Sequence, residues 1–151
     1  MSKKLLYFIP VIIWMTIIFA FSEQDVTESS SLSNNVTDTI YEPIVEAVPN
    51  AEISKESFNI TLRNLAHGVL YFILGVLLIN AVTLYEFSKL KSSAISLIAS
   101  ILYAFTDEWH QFFVPGRAFE LKDILIDSVG AMIGIAIYFL LMIIIKPKEL
   151  I

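Results

Sequence analysis

The chain has 151 residues, 56% of them hydrophobic, with ten basic side chains against fifteen acidic ones and no cysteine. A mean hydropathy of +0.72 is more apolar than a soluble domain of this length can hide, so the first expectation is a membrane protein. The formal charge of −5 argues against nucleic acid, whose phosphates need clustered Lys and Arg, and the missing cysteines exclude disulfides, a thiolate nucleophile and a cysteine zinc site.

Four apolar segments follow in chain order: Leu5–Phe21, Asn64–Leu84, Ala94–Phe113 and Ile124–Ile145. A hydrocarbon core about 30 Å thick needs about 20 residues of helix and roughly 17 at the least, so each predicts a span. The expected fold is all-α: a polytopic membrane protein with four transmembrane helices in one membrane domain over residues 1–151. Lys3 and Lys4 precede the first span, Lys89 and Lys91 join the second to the third, and Lys146 and Lys148 follow the fourth. The positive-inside rule then makes both termini and the 85–93 loop cytoplasmic and puts 22–63 and 114–122 outside. The first segment, with Ala20-Phe21-Ser22 at its end, also fits a cleaved signal peptide, although its apolar run is longer than most; cleavage would leave the remaining orientation unchanged.

The extracytoplasmic segment 22–63 holds eight of the fifteen acids and carries Val36, Ile40, Ile44 and Val48 at four-residue spacing. That pattern predicts an amphipathic helix on the bundle or the outer membrane surface, interrupted near Pro43, with a partly ordered acidic loop as the rival.

The topology gathers the ionisable groups at one depth. Asp107, Glu108, His110 and Gln111 end the third span at its outer side; Asp123 and Asp127 begin the fourth there, and Arg63 and His67 the second. Ser93, Ser96, Ser100, Tyr103, Asp107 and His110 recur at three- and four-residue steps as a polar stripe, Asp123 and Asp127 share a face with Gly130 and Gly134, and Arg63, His67 and Tyr71 form a third row. The three rows are expected to face one cavity. Carboxylates turned to lipid cost about 2.5–3.5 kcal/mol each at the bilayer centre, so these should point inward. Arg63, Arg117 and Lys122 would be their counter-ions if the cluster only held the turn together, whereas ionisable groups at membrane depth point by default to a functional site. Val114-Pro115-Gly116-Arg117 reads as a tight turn presenting Arg117 above the carboxylates, where a guanidinium could grip a phosphate or carboxylate. Trp109, Phe112 and Phe113 fit an interfacial aromatic belt.

The stretches FSEQ at 21–24, RNLAHGVLYFILG at 63–75, DEWHQFFVPGR at 107–117 and LKDILIDSVGAMIG at 121–134 resemble the VanZ family of small bacterial membrane proteins. The family's characteristic residues would fall on Ser22 and Gln24; on Arg63, His67 and Tyr71; on Asp107, Glu108, His110, Gln111, Pro115, Gly116 and Arg117; and on Asp123, Asp127 and Gly130. Asn64 stands where a lysine is common, and Leu70 where an acidic residue is frequent. The resemblance implies a multi-pass protein of the bacterial plasma membrane, in a family whose namesake is associated with resistance to the glycopeptide teicoplanin, and implies no settled chemistry.

Three functions follow as expectations. The first is binding or modification of a membrane lipid or lipid-linked cell-wall precursor, or of a glycopeptide antibiotic's acyl tail, by Arg63, His67, Tyr71, Asp107, Glu108, Gln111, Arg117, Asp123 and Asp127. The second is a hydrolase or transferase using His67, Asp107, Glu108, His110 or Asp127 as acid and base, or holding a divalent metal on His67, Asp107, His110 and Asp127, Glu108 being a further ligand. No cofactor is required by the sequence. The third is a non-catalytic role, the Gly130–Gly134 face docking an envelope protein; assembly as a homo-oligomer is open.

Overall fold

The computed structural model describes residues 3–47 and 54–145. Among these the chain is all-α: a 3₁₀ turn at Lys3–Phe8 leads into α1 (Ile9–Ser22), followed by α2 (Val26–Ala47), α3 (Lys55–Thr83), α4 (Lys89–Gln111) and α5 (Leu121–Ile145). Three helical stretches are long and apolar enough to cross a membrane: Lys3–Ser22, Lys55–Thr83 and Leu121–Ile145. At 23 residues α4 has the length as well, but serines and terminal charges dilute its apolar character.

The helices overrun the apolar segments that announce them, because caps rather than hydrophobicity set their starts. Ser54 Oγ accepts the Ser57 amide at 3.2 Å and Ser88 Oγ that of Lys91 at 3.3 Å, so α3 begins nine residues and α4 five before the apolar runs at Asn64 and Ala94. Asp25 caps α2 through the Glu28 amide at 2.9 Å. The Thr27 hydroxyl and then that amide hold its carboxyl below the usual range.

At 29 residues α3 is about 43 Å long, more than a bilayer core requires, and it is the axis of the fold. α5 and α4 pack along it, and α1 crosses its apolar half. The core joins Tyr71, Leu74, Leu78 and Ala81 of α3 to Val11 and Ile18 of α1, Ala104 of α4 and Ala131 of α5. Two long-range bonds seat α1: Trp14 Nε1 donates to the Leu70 carbonyl at 2.8 Å, and the Tyr103 hydroxyl donates to the Met15 carbonyl at 2.6 Å. Outside this core the surface is apolar, with Ile12, Leu102, Leu125 and Ile144 each more than half exposed. Water would not tolerate such a girdle on a monomer; acyl chains would.

α2 is a helix rather than a loop, and Pro43 lies inside it without ending it. Its attachment reverses the usual pattern. Polar groups face the bundle: Asn59 of α3 donates to Asn34 Oδ1 at 2.8 Å and to the nearly inaccessible Thr37 hydroxyl at 3.2 Å, and its Oδ1 accepts from Ser33 at 3.2 Å. Leu32, Val36 and Ile44 are exposed instead. Val48, Lys146 and Lys148 lie outside the described residues.

Candidate functional site

α3 and α5 meet backbone to backbone. A Cβ at Gly130 would collide with the Gly68 carbonyl, one at Gly134 with that of Phe72, and one at Gly75 with that of Ala131. The small-residue face on α5 is therefore filled within the chain, which removes it as a docking surface for another protein. The close approach also lowers Asp127, fully buried on α5, onto the row of functional groups along α3. His67 Nδ1 lies 3.4 Å from Asp127 Oδ1.

On α4 the buried face runs through Ser92, Ser96, Ser100, Ala104, Asp107, Glu108 and Gln111. The expected stripe was rotated slightly from this: Ser93, Tyr103 and His110 sit at its margin, only partly buried. Steps of three and four leave two adjacent rows nearly equivalent on a helix of 3.6 residues per turn, and contact with α3 and α5 selects between them. Glu108 turns toward the following loop, where its Oε2 accepts the Glu120 amide at 2.9 Å. His110 turns the other way, its ring centroid 4.5 Å from that of Phe19 on α1.

The turn after α4 forms as Pro115 and Gly116 require, with Gly116 at φ 77° and the Arg117 amide donating to the Val114 carbonyl at 3.1 Å. Arg117 then reaches into the bundle, yet it grips no carboxylate directly. Its Nη1 donates to Gln111 Oε1 at 3.0 Å, Gln111 Nε2 donates to Asp107 Oδ2 at 3.4 Å, and its Nε donates to the Gln24 carbonyl at 3.2 Å. Burial first, and then the like charge of Arg63, push the pKa of the Arg117 guanidinium down. Lys122 goes to Asn64 Oδ1 at 3.4 Å rather than to an acid. The expected counter-ion scheme is thus replaced: among the described residues the basic nitrogen that approaches a carboxylate in this cluster is His67 Nδ1, charged only when the ring is protonated, while Arg63 and Arg117 form no ion pair.

A cavity of about 410 Å³ opens above these groups. Its polar lining includes Arg63, His67 and Tyr71 of α3, Asp107 and Gln111 of α4, and Arg117 of the turn. Six of the expected ligand-binding residues therefore share one space. Glu108, Asp123, Asp127 and His110 do not line it, and no residue of α5 does; Asp127 stands behind His67. The walls opposite are α1, with Ile18, Phe21 and Ser22, and α2, with Ser29, Leu32, Ser33 and Val36. Sequence reasoning missed that second wall, although Ser29, Leu32, Ser33 and Val36 recur at three- and four-residue steps and could have marked the face.

Several buried oxygens here have no hydrogen-bond partner among the described residues: Tyr71 Oη, Asp107 Oδ1, Glu108 Oε1 and both carboxylate oxygens of Asp127, the nearer of which makes only the long ion-pair contact with His67. Buried polar atoms without partners are costly and mark places where a ligand or water completes the structure. Among the described residues, no three His, Asp or Glu side chains converge as a set that could hold a metal ion, so the candidate metal ligands His67, Asp107, His110 and Asp127 do not assemble into one.

Three comparisons with known proteins complete the description. A family model described as VanZ/LLP1 matches residues 7–143, which takes in α1 to α4 and all but the last two residues of α5. Searches of curated proteins and of solved structures give no match.

Proposed function

The chain belongs to the VanZ/LLP1 family, and on that premise we propose that it is a four-span protein of the bacterial plasma membrane whose cavity binds an anionic envelope lipid at the outer leaflet. The observation that carries this reading is the pair of guanidiniums, Arg63 and Arg117, lining one cavity with no acidic ion-pair partner among the described residues. Two such donors suit a phosphate, which accepts paired N–H bonds. The walls from Ile18, Phe21, Leu32, Val36, Leu62 and Leu70 suit an acyl or prenyl chain.

The topology of this proposal takes α4 as the remaining span, its serines covered by α3 and α5. Lys4 supports the orientation: it lies 3.9 Å from Glu86 and 5.5 Å from the centroid of Tyr85, so the start of α1 and the α3–α4 connection share one end of the bundle. With Lys89 and Lys91 beside them, that end is cytoplasmic, and the cavity at the opposite end faces out, with α2 resting its exposed Ile44 on the membrane surface. A polyprenyl-phosphate-linked cell-wall precursor fits both the chemistry and the side of the membrane, and its capture would alter susceptibility to teicoplanin, which acts on such precursors.

Native mass spectrometry of protein released gently from bacterial membranes tests the reading. Wild type is expected to carry a phosphate-bearing lipid that the Arg63→Gln/Arg117→Gln variant lacks. Equal adducts in both, or none in wild type, would overturn it.

A further inference from the structure

The cavity holds more than a cation pair. His67 lines it while turning Nδ1 away, toward the inaccessible carboxylate of Asp127 at 3.4 Å. An imidazole with Nδ1–H directed at a carboxylate has its tautomer fixed, and the lone pair of Nε2, on the far edge of the ring, is left for the cavity. A buried carboxylate paired with a histidine is by itself a weak source of stability. Asp107 shares the cavity, with Oδ2 accepting from Gln111 and Oδ1 without a partner among the described residues. A base, backed from outside the cavity by its orienting carboxylate, therefore shares one space with a second carboxyl group and two guanidiniums.

We infer that the site hydrolyses the terminal phosphate of a lipid, with His67 as general base, Asp127 as its positioning residue and Asp107 as general acid. This rests on the anionic-lipid reading above and adds turnover to it. Arg63 and Arg117 hold the non-bridging oxygens of the phosphoryl group. His67 Nε2 takes a proton from water as the water oxygen forms its bond to phosphorus; the bond from phosphorus to the bridging oxygen breaks, and the electron pair leaves with that oxygen, which takes a proton from the Asp107 carboxyl. The products are inorganic phosphate and the lipid alcohol, or the lipid monophosphate from a diphosphate. Proton exchange with water returns His67 and Asp107 to their starting states, so no oxidant or co-reactant is needed. Phosphate is favoured over a carboxylic ester because two cations in one cavity match a group that carries two charges.

The test uses the full-length protein in phosphatidylcholine nanodiscs with two probes, phosphatidic acid and a long-chain polyprenyl diphosphate, reading lipid adducts by native mass spectrometry and inorganic phosphate release by colorimetry. Wild type is expected to bind and to release phosphate from at least one probe. His67→Gln should keep the adduct and lose about 100-fold or more in release, the contribution of a positioned general base. Asp127→Asn should lower kcat with little change in KM, and Asp127→Glu should restore part of it, which a purely structural carboxylate would not do. Adducts in wild type with no release from either probe, or His67→Gln releasing phosphate at the wild-type rate, would overturn the inference while leaving the binding reading intact. Absence of any adduct in wild type would overturn both.

Discussion

Gly130 on α5 lies so close to the carbonyl of Gly68 on α3 that no side-chain carbon fits between them. The reverse is not true: a Cβ on Gly68 would meet only Ile126 Cγ2 at 3.7 Å, an ordinary contact. Gly130→Ala should therefore destabilise by about 1–3 kcal/mol through forced separation of the helices. Gly68→Ala should be neutral or stabilising by up to about 1 kcal/mol, since it only removes a helix-interior glycine. Thermal unfolding of the two variants in one detergent checks the asymmetry; equal losses would mean that the crossing is not backbone to backbone.

Gln111 links Arg117 to Asp107, and both of its bonds are made by one terminal amide. Gln111→Leu would fill the same volume and leave a buried carboxylate oxygen and the Nη1 of the Arg117 guanidinium without partners, so a loss of about 1–3 kcal/mol is expected. The readout is the melting temperature in detergent, with Gln111→Leu below wild type.

Asn59 is the chief polar attachment of α2, through three side-chain bonds of 2.8–3.2 Å to Ser33, Asn34 and Thr37. Since α2 packs chiefly on α3, Asn59→Ala should loosen it alone. Hydrogen exchange over 26–47 should accelerate several-fold with the exchange of α3 and α5 unchanged. Uniform acceleration would show that α2 is part of the cooperative core.

Glu86 adopts φ 60°, the left-handed region that costs a residue with a side chain about 1–2 kcal/mol. Its pairing with Lys4 at 3.9 Å is exposed on both sides, and exposed pairs contribute little. The backbone effect outweighs the charge effect, so Glu86→Gly should raise stability by about 1 kcal/mol. A variant less stable than wild type would reverse that ranking.

Much of this is legible in the sequence. Apolar runs located the helices, and the spacing of Arg63, His67 and Tyr71 put them on one face, where the cavity finds them. Pro115-Gly116 gave the turn, and Gly116 has the positive φ it needed. What spacing could not convey is which polar group meets which. Arg117 was expected above the carboxylates, and it contacts a glutamine and a backbone carbonyl; Asp127 was expected in the cavity, and it supports His67 from behind. Those choices depend on how far α5 descends along α3, which is set by three glycine contacts and not by any periodicity. The α2 wall was hidden for another reason. Hydrophobic patterning finds faces that bury apolar groups, whereas α2 docks by Ser33, Asn34 and Thr37.

The buried hydroxyls of Ser92, Ser96 and Ser100 bear on how the protein is made. On the four-span topology, α4 emerging alone into lipid would offer acyl chains three hydroxyls and two carboxylates, and α3 covers only part of that face. α5 supplies the rest, so α4 and α5 must leave the translocon as a hairpin. Chains ending before Leu121 should then be degraded quickly in pulse-chase labelling, whereas chains ending after Ile145 persist. Arg117 and Asp127 reach the ribosome exit after every other group they contact, and on the proposed function a cavity with its base oriented and its anion grip in place would exist only once the last helix had joined the bilayer.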